Sequence, residues 1–93
     1  MRVIWAPEAI QARLEIWQYI AESNPVAAEQ MDTLFSDAAK RLSDHPEMGK
    51  EGLVVGTREL IPHSSYRLVY EVVSEEEIWI TALISTAKAW PPI

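Results

Sequence analysis

Two runs of residues decide the fold: YRLVYEVV, which spans Tyr66–Val73, and IWITALI, which spans Ile78–Ile84. Both runs are rich in β-branched and aromatic residues, as is typical of β-strands. Only the acidic segment Ser74–Glu77 separates them, and so short a connection joins antiparallel strands, because parallel strands need a crossover of a dozen residues or more. We therefore predict a β-hairpin, preceded by a further strand at Thr57–Ile61.

A helical pattern lies upstream of these strands. Ile10, Leu14, Trp17 and Ala21 recur at the spacing of one helix face, which predicts an amphipathic helix. We expect this first helix to end near Ser23.

A second helix follows almost at once. Asn24 is a good N-cap and Pro25 suits the first helical position, because the ring of proline fixes a helical φ and its missing N–H is not needed there. The apolar residues that continue this helix share one face, and they are Met31, Leu34, Phe35, Ala38 and Leu42. The pair His45-Pro46 closes it.

These elements, with a short strand predicted at Arg2–Trp5, indicate one domain over residues 1–93. Two helices joined by a short link form an antiparallel hairpin, and helices followed by strands are typical of the α+β class. We predict an N-terminal strand and a helical hairpin packed on one face of a small, mainly antiparallel sheet.

Composition narrows the possible functions. The chain has 93 residues, a net charge of −6 and no cysteine, which excludes disulfides, thiolate catalysis and cysteine-ligated zinc. The acidity disfavours a broad nucleic-acid footprint, because phosphate binding needs an excess of Lys and Arg. No run approaches a membrane span and no signal peptide is visible, so we expect a cytoplasmic protein.

No catalytic constellation stands out. His45 and His63 lie far apart in the sequence and lack nearby ligand partners, so we predict no metal site and no cofactor. The serines lack the context of a nucleophile elbow, and the glycines do not form a phosphate-binding loop. We predict no catalytic residue.

The sheet has an unusually apolar second face. A sheet covered by helices on one side usually carries polar residues on the other, yet the alternation of the strands places Val69, Trp79 and Leu83 there. We predict that a partner chain covers these residues. The alternative is that loops or the C-terminal Trp90 fold over that face.

Three cations accompany the strands. Arg67 lies in the middle of its strand, Arg58 on the preceding strand and Lys88 after the last one. They can form a small anion-facing cluster. Alternatively, they pair with Glu59 and Glu71, as charges on open sheet faces often do.

The whole chain resembles the ParE/RelE superfamily of bacterial toxins. The matching segments occur in the family's order, and they are WAPEA at residues 5–9, YIAE at 19–22, NP at 24–25, HPEMG at 45–49, GTREL at 56–60, SYRLVYEV at 65–72 and AKAWP at 87–91. The resemblance implies the RelE/ParE toxin fold and a toxin of a type II toxin–antitoxin system. It also implies neutralisation in a hetero-oligomer, by a ParD-like antitoxin whose C-terminal segment folds as it binds.

The branches of this superfamily differ in chemistry. RelE-like members cut mRNA on the ribosome with several basic side chains, whereas ParE-like members inhibit DNA gyrase by binding. Arg67 matches the arginine of the family's Tyr-Arg-Leu-Val-Tyr strand, but Leu60 stands where another lysine is usual, and no Tyr or His follows Ile84. The resemblance is therefore closer to the ParE branch.

The chain also departs from the ParE pattern. Ser85-Thr86 replaces the usual His-Gly, and Lys88 replaces the usual arginine. We expect Arg58, Arg67, Lys88 and Trp90 to contact the target, and Val69, Trp79 and Leu83 to contact the antitoxin. The alternatives are a ribosome-dependent mRNA endonuclease and a domain that binds antitoxin but is no longer toxic.

Overall fold

The computed structural model of the protein describes residues 1–92. Its elements, in chain order, are β1 (Arg2–Trp5), α1 (Pro7–Ala21), α2 (Pro25–Asp44), β2 (Lys50–Glu51), β3 (Arg58–His63), β4 (Tyr66–Val72) and β5 (Glu77–Ser85). The predicted order of a strand, two helices and three strands is confirmed. The two-residue strand β2 was not predicted, because so short a polar run has no period to detect.

The strands form one mixed sheet. Their order across the sheet is β1-β5-β4-β3-β2, with β1 parallel to β5 and every other neighbouring pair antiparallel. The helical hairpin packs on one face through residues of α1 and α2. The predicted α+β architecture is therefore confirmed, and β1 and β2 are the two edges of the sheet.

The helical hairpin begins and turns where its sequence signals predict. The side chain of Asn24 accepts a hydrogen bond from the N–H of Ala27 at 3.1 Å, and Pro25 is the first residue of α2. This cap satisfies one of the backbone donors that every helix start leaves free. Helix α1 ends at Ala21, two residues before the predicted end at Ser23.

The core lies between the hairpin and the sheet. Its buried residues come from both helices and from the two central strands, and they are Ala9, Phe35, Ala38, Leu42, Leu68, Tyr70, Ile78, Ile80 and Leu83. Phe35 also meets the ring of Tyr66 edge-on, with 5.6 Å between centroids. Small residues on the helices let the backbone approach the sheet closely, so the large side chains of β4 and β5 fill the space.

A bulge in β5 changes which face its residues occupy. Val69 of β4 pairs with Ala82, but Tyr70 pairs with Ile80, so Thr81 has no partner. An extra residue shifts the alternation of side chains by one position. Leu83 therefore points into the core with 4% of its surface exposed, and the prediction that it lies on the outer face was wrong.

Helix α1 buries a narrower stripe than its sequence suggests. Ala9 is fully buried and Ala12 and Ile16 pack against the core, whereas Ile10 and Leu14 are about half exposed. The apolar stripe of α1 is thus wider than the sheet can cover. Among residues 1–92, no helix has the length and apolar character that a membrane crossing requires.

A tyrosine ties the segment after α2 to the sheet. The buried hydroxyl of Tyr70 accepts the N–H of Gly49 at 2.9 Å and donates to the carbonyl of Pro46 at 2.8 Å. Burial raises the pKa of Tyr70, which keeps the phenol protonated. A side chain on Gly49 would collide with this ring, because an added Cβ would lie 2.7 Å from it.

We predict that Tyr70→Phe destabilises the protein by about 1–3 kcal/mol, because it leaves the buried Gly49 N–H without its acceptor. Urea denaturation followed by circular dichroism measures this loss. Tyr19→Phe is the matched control, since Tyr19 is exposed. Equal stability of the two variants would contradict the prediction.

Candidate functional site

The outer face of the sheet, away from the helices, carries a buried ion pair. Nε of Arg67 on β4 lies 3.3 Å from Oε1 of Glu59 on β3, and the two side chains are 20% and 2% exposed. The alternation of β4 fixes the face, because its neighbours Leu68 and Tyr70 point into the core. Of the two interpretations of Arg67, ion pairing with Glu59 is the one that the structure supports, although the buried Nε makes no hydrogen bond.

The second oxygen of Glu59 holds a loop. Oε2 accepts the N–H of Leu53 at 3.0 Å, so the segment between β2 and β3 lies against the outer face. Burying a carboxylate is costly unless it is paired and hydrogen-bonded. Arg67 and Leu53 supply those two interactions, and they link β4, β3 and the loop through one side chain.

Arg58 lies on the opposite face of the sheet. It pairs with Tyr70 in the β3–β4 register, and directly paired residues share a face. Its guanidinium donates to the carbonyl of Gly49 at 2.7 Å and more weakly to that of Glu47 at 3.4 Å. Arg58 therefore holds the segment after α2, as Tyr70 does.

The anion-facing cluster of Arg58, Arg67 and Lys88, one of the two alternatives, does not form. The sheet separates Arg58, which donates to a backbone carbonyl, from Arg67, which lies in an ion pair with Glu59. Lys88 lies beyond the end of β5, at a shallow pocket that Tyr19, Tyr66 and Ser85 also line. The sequence could not show this separation, because it depends on the register of the hairpin.

Lys88 and Trp90 are the predicted target contacts that the structure leaves nearest to solvent. Lys88 is exposed, and Trp90 is half-buried. The indole Nε1 of Trp90 is buried and has no hydrogen-bond partner within residues 1–92. An unpaired buried N–H costs stability, and in this conformation a partner chain does not reach it.

The predicted antitoxin contacts have different environments. Val69 is on the outer face, but the chain itself already buries it, with only 1% of its surface exposed. The expectation that a partner chain must cover Val69 was therefore wrong. Leu83 is in the core. Trp79 is half-buried and donates from Nε1 to Glu77 at 2.7 Å, and its contact with an antitoxin stays a prediction.

The carboxylate of Glu77, next to the edge strand β1, accepts hydrogen bonds from the side chains of Trp79 and Arg2. Hydrogen bonds from Trp79 and then from Arg2 hold the pKa of Glu77 below its usual value. A depressed pKa means that this carboxylate remains charged down to acidic pH. Glu77 therefore forms a surface ion pair with Arg2, which joins the start of β5 to β1.

An open groove lies beside α1, and most of its lining is apolar. We call it the α1 groove; it has a volume of about 430 Å³ and is lined by Trp5, Ile10, Arg13, Leu14, Trp17 and Asp32. The helical spacing of Ile10, Leu14 and Trp17 was the signal of this surface, but spacing alone does not tell a buried stripe from an exposed one.

An ion pair between Arg13 and Asp32, which we call the Arg13–Asp32 clamp, lines the α1 groove. The guanidinium of Arg13 on α1 contacts both carboxylate oxygens of Asp32 on α2, at 2.6 and 2.9 Å, and the hydroxyl of Ser36 at 2.7 Å. It also lies 4.7 Å from the ring centre of Trp5, within range of a cation–π contact. These bonds fix the groove before any partner arrives.

The histidines carry local roles. Nδ1 of His63 accepts the N–H of Ser65 at 3.1 Å, which stabilises the turn between β3 and β4, and His45 is the C-cap of α2. Within residues 1–92 no group of His, Asp and Glu side chains is arranged to hold a metal ion.

We predict that Arg67→Met lowers the free energy of unfolding by about 3–5 kcal/mol, because it leaves a buried charge unpaired. Adding Glu59→Gln to that variant removes the unpaired charge and should restore part of the loss. Urea denaturation of both variants, with Glu59→Gln alone, completes a double-mutant cycle. Losses that simply add would show that the pair is not coupled.

Comparisons with known proteins agree with this architecture. A family model described as the ParE toxin of the type II toxin–antitoxin system, parDE, matches residues 3–90. A chain in the solved structure of the chromosomal ParDE TA system from P. aeruginosa is similar in fold, with a TM-score of 0.76. It is 20% identical, and the alignment covers 91% of this chain and 95% of that one.

No curated protein matches the sequence. At 20% identity, the solved structure shows the fold alone. The family model, in contrast, extends over nearly the whole chain, from the first strand to the tail. The chain therefore belongs to the family of ParE toxins, the toxin half of type II parDE toxin–antitoxin systems in which ParD is the antitoxin.

Proposed function

We propose that the protein inhibits DNA gyrase by binding it, without catalysis of its own. The observation that carries the proposal is that both arginines of the sheet interact with groups of the same chain, so neither is free to bind a phosphate. Arg67 is paired with the buried Glu59, and Arg58 is bonded to backbone carbonyls. Membership of the ParE family supports the same conclusion, because the resemblance to ParE implies gyrase as the target.

The rival function is cleavage of mRNA on the ribosome. Metal-free cleavage needs a group that activates the 2′-hydroxyl and cations that stabilise the phosphorane. Arg67 is the cation that the resemblance offers, yet a carboxylate already neutralises it and its side chain is only 20% exposed. A net charge of −6 further opposes binding to RNA.

The proposed contact with gyrase includes Lys88 and Trp90. Lys88 carries its charge on the surface beyond β5, where it can meet a carboxylate of a protein partner. Trp90 is half-buried, so part of its ring remains open to a partner. Arg58 and Arg67 contribute by holding the loops on either side of the sheet rather than by reaching the target.

The proposed antitoxin is ParD-like, and the α1 groove is its binding surface. The groove is apolar, open and already ordered by the Arg13–Asp32 clamp. An antitoxin segment that folds on binding buries its apolar side chains against Ile10 and Leu14. The groove takes the place of Val69, which is already buried, whereas Trp79 stays a predicted antitoxin contact.

The gyrase proposal predicts inhibition of supercoiling by the purified toxin, with trapped DNA cleavage, and relief by the antitoxin. Lys88→Ala should weaken inhibition by about fivefold, the effect of roughly 1 kcal/mol at an interface rim. Lys40→Ala is the matched control, because Lys40 is exposed on α2, away from β5. The readout is the toxin concentration that halves supercoiling.

Three outcomes separate the proposed functions. Growth arrest without any effect on gyrase, together with codon-specific cuts found by primer extension, would favour the mRNA endonuclease. Normal growth on induction without the antitoxin would favour a domain that only binds antitoxin. Inhibition that the antitoxin does not relieve would contradict the pairing with ParD.

The antitoxin proposal predicts that Leu14→Glu weakens ParD binding by about tenfold or more, because a charge enters the centre of an apolar contact. The exposure of Leu14 keeps the fold intact. Gln30→Glu adds the same charge to an exposed position of α2 that does not line the groove and should change the affinity little. Isothermal titration calorimetry measures both, and equal affinities would place the antitoxin elsewhere.

A further inference from the structure

Glu59 on the outer face meets two donors from separate parts of the chain. The N–H of Leu53 donates to Oε2 at 3.0 Å, and Nε of Arg67 lies 3.3 Å from Oε1. Leu53 belongs to the loop between β2 and β3, Arg67 belongs to β4, and Glu59 belongs to β3. A backbone N–H and a guanidinium therefore converge on one carboxylate, whose side chain is only 2% exposed.

The surroundings of this carboxylate are dry. Glu59 pairs directly with Val69 in the β3–β4 register, and Val69 is buried. Thr57, two residues before Glu59, is buried as well, and its hydroxyl donates to the carbonyl of Val54 at 2.6 Å. Little water reaches such a position, so an anion there interacts with a neighbouring cation more strongly than it would at the surface.

The side chain of Glu59 does not fully satisfy its cation. Nε of Arg67 is buried and makes no hydrogen bond, although the carboxylate is within ion-pair distance. The carboxylate is tethered to β3 through two methylene groups, which limits how well it aligns with both donors. The buried Nε–H therefore marks a capacity to bind an anion that the tethered group leaves partly unused.

We propose that the outer face holds an anion-binding site, made by Arg67 and the N–H of Leu53, and that its resident ligand is the carboxylate of Glu59. Glu59 is thus the residue that decides specificity on this face, because no external anion enters while its own carboxylate is there. The inference deepens the proposed function, on which its meaning for the choice of target rests: a toxin whose anion site is filled from within recognises its target without binding phosphate on this face.

The ligand class that fits the site without Glu59 is a small monocarboxylate. Replacing Glu59 with alanine removes a carboxylate and one methylene group, which correspond closely to acetate, and formate is smaller still. The two oxygens of a planar carboxylate match two donors that arrive from different directions. A phosphate is tetrahedral and larger than the group removed, so it fits the space less well.

The test measures the thermal unfolding of Glu59→Ala in sodium formate and in sodium chloride at equal ionic strength. A ligand that binds only the folded state raises the unfolding midpoint as its concentration rises. We expect formate at about ten times its Kd to raise the midpoint of Glu59→Ala by about 5 °C or more relative to chloride. The wild type should respond equally to the two salts, because its own carboxylate fills the site.

Three further variants locate the effect. Glu59→Gln keeps the space filled with an amide, so formate should add nothing over chloride. Glu59→Ala/Arg67→Met lacks the cation, so its response to formate should disappear. Glu71→Ala is the matched control, because Glu71 lies on the same face of β4 as Arg67 and its loss removes the same charge from another position.

The outcomes separate an anion site from an ion pair with a structural role alone. Equal midpoints of Glu59→Ala in formate and in chloride would overturn the proposal. A formate response of the same size in Glu59→Gln or Glu71→Ala would overturn it too, because formate would then act elsewhere. If Glu59→Ala is unfolded in chloride, refolding in formate supports the proposal and failure to refold contradicts it.

This experiment is independent of the proposed target, since neither gyrase nor antitoxin is present. A toxin that fails to inhibit supercoiling would contradict the proposed function and leave the formate result standing. A missing formate response, together with inhibition of gyrase, would contradict the anion site alone.

Discussion

The carboxylate of Glu59 is the constraint on which the outer face of this toxin depends. A charge buried in a sheet remains there only if neighbours compensate it, and here Arg67 and the N–H of Leu53 do so. Two consequences follow from this one group. The cation on β4 is paired, and the loop between β2 and β3 is held on the outer face.

The opposite side of the domain is organised by a second charged interaction. Arg13 joins α1 to Asp32 on α2 and contacts the ring of Trp5 on β1. The clamp orders the α1 groove, as Glu59 orders the loop between β2 and β3. Each of the two interactions therefore fixes one side of a small acidic domain.

Local signals in the sequence were sufficient for both helices and for every strand except the two-residue β2. Asn24 and Pro25 mark the start of α2 because capping is a property of adjacent residues. It was harder to predict which face each strand residue occupies, because the unpaired Thr81 shifts the alternation of β5 and moves Leu83 into the core. Pairing of Arg67 with Glu59 was one of two alternatives, and the register decides it. Which side of α1 is covered depends on the tertiary packing, so the α1 groove could not be recognised from spacing alone.

The central claim is that the sheet arginines serve the fold and leave no site for a phosphate backbone. The binding of a fluorescent mRNA fragment to the purified toxin, measured by anisotropy over a range of salt concentrations, tests it most directly. The account predicts no binding even at low salt, because Glu59 neutralises Arg67 and the chain is acidic. Binding that is tight at low salt, weakens steeply as salt rises and disappears in Arg67→Met would contradict the account.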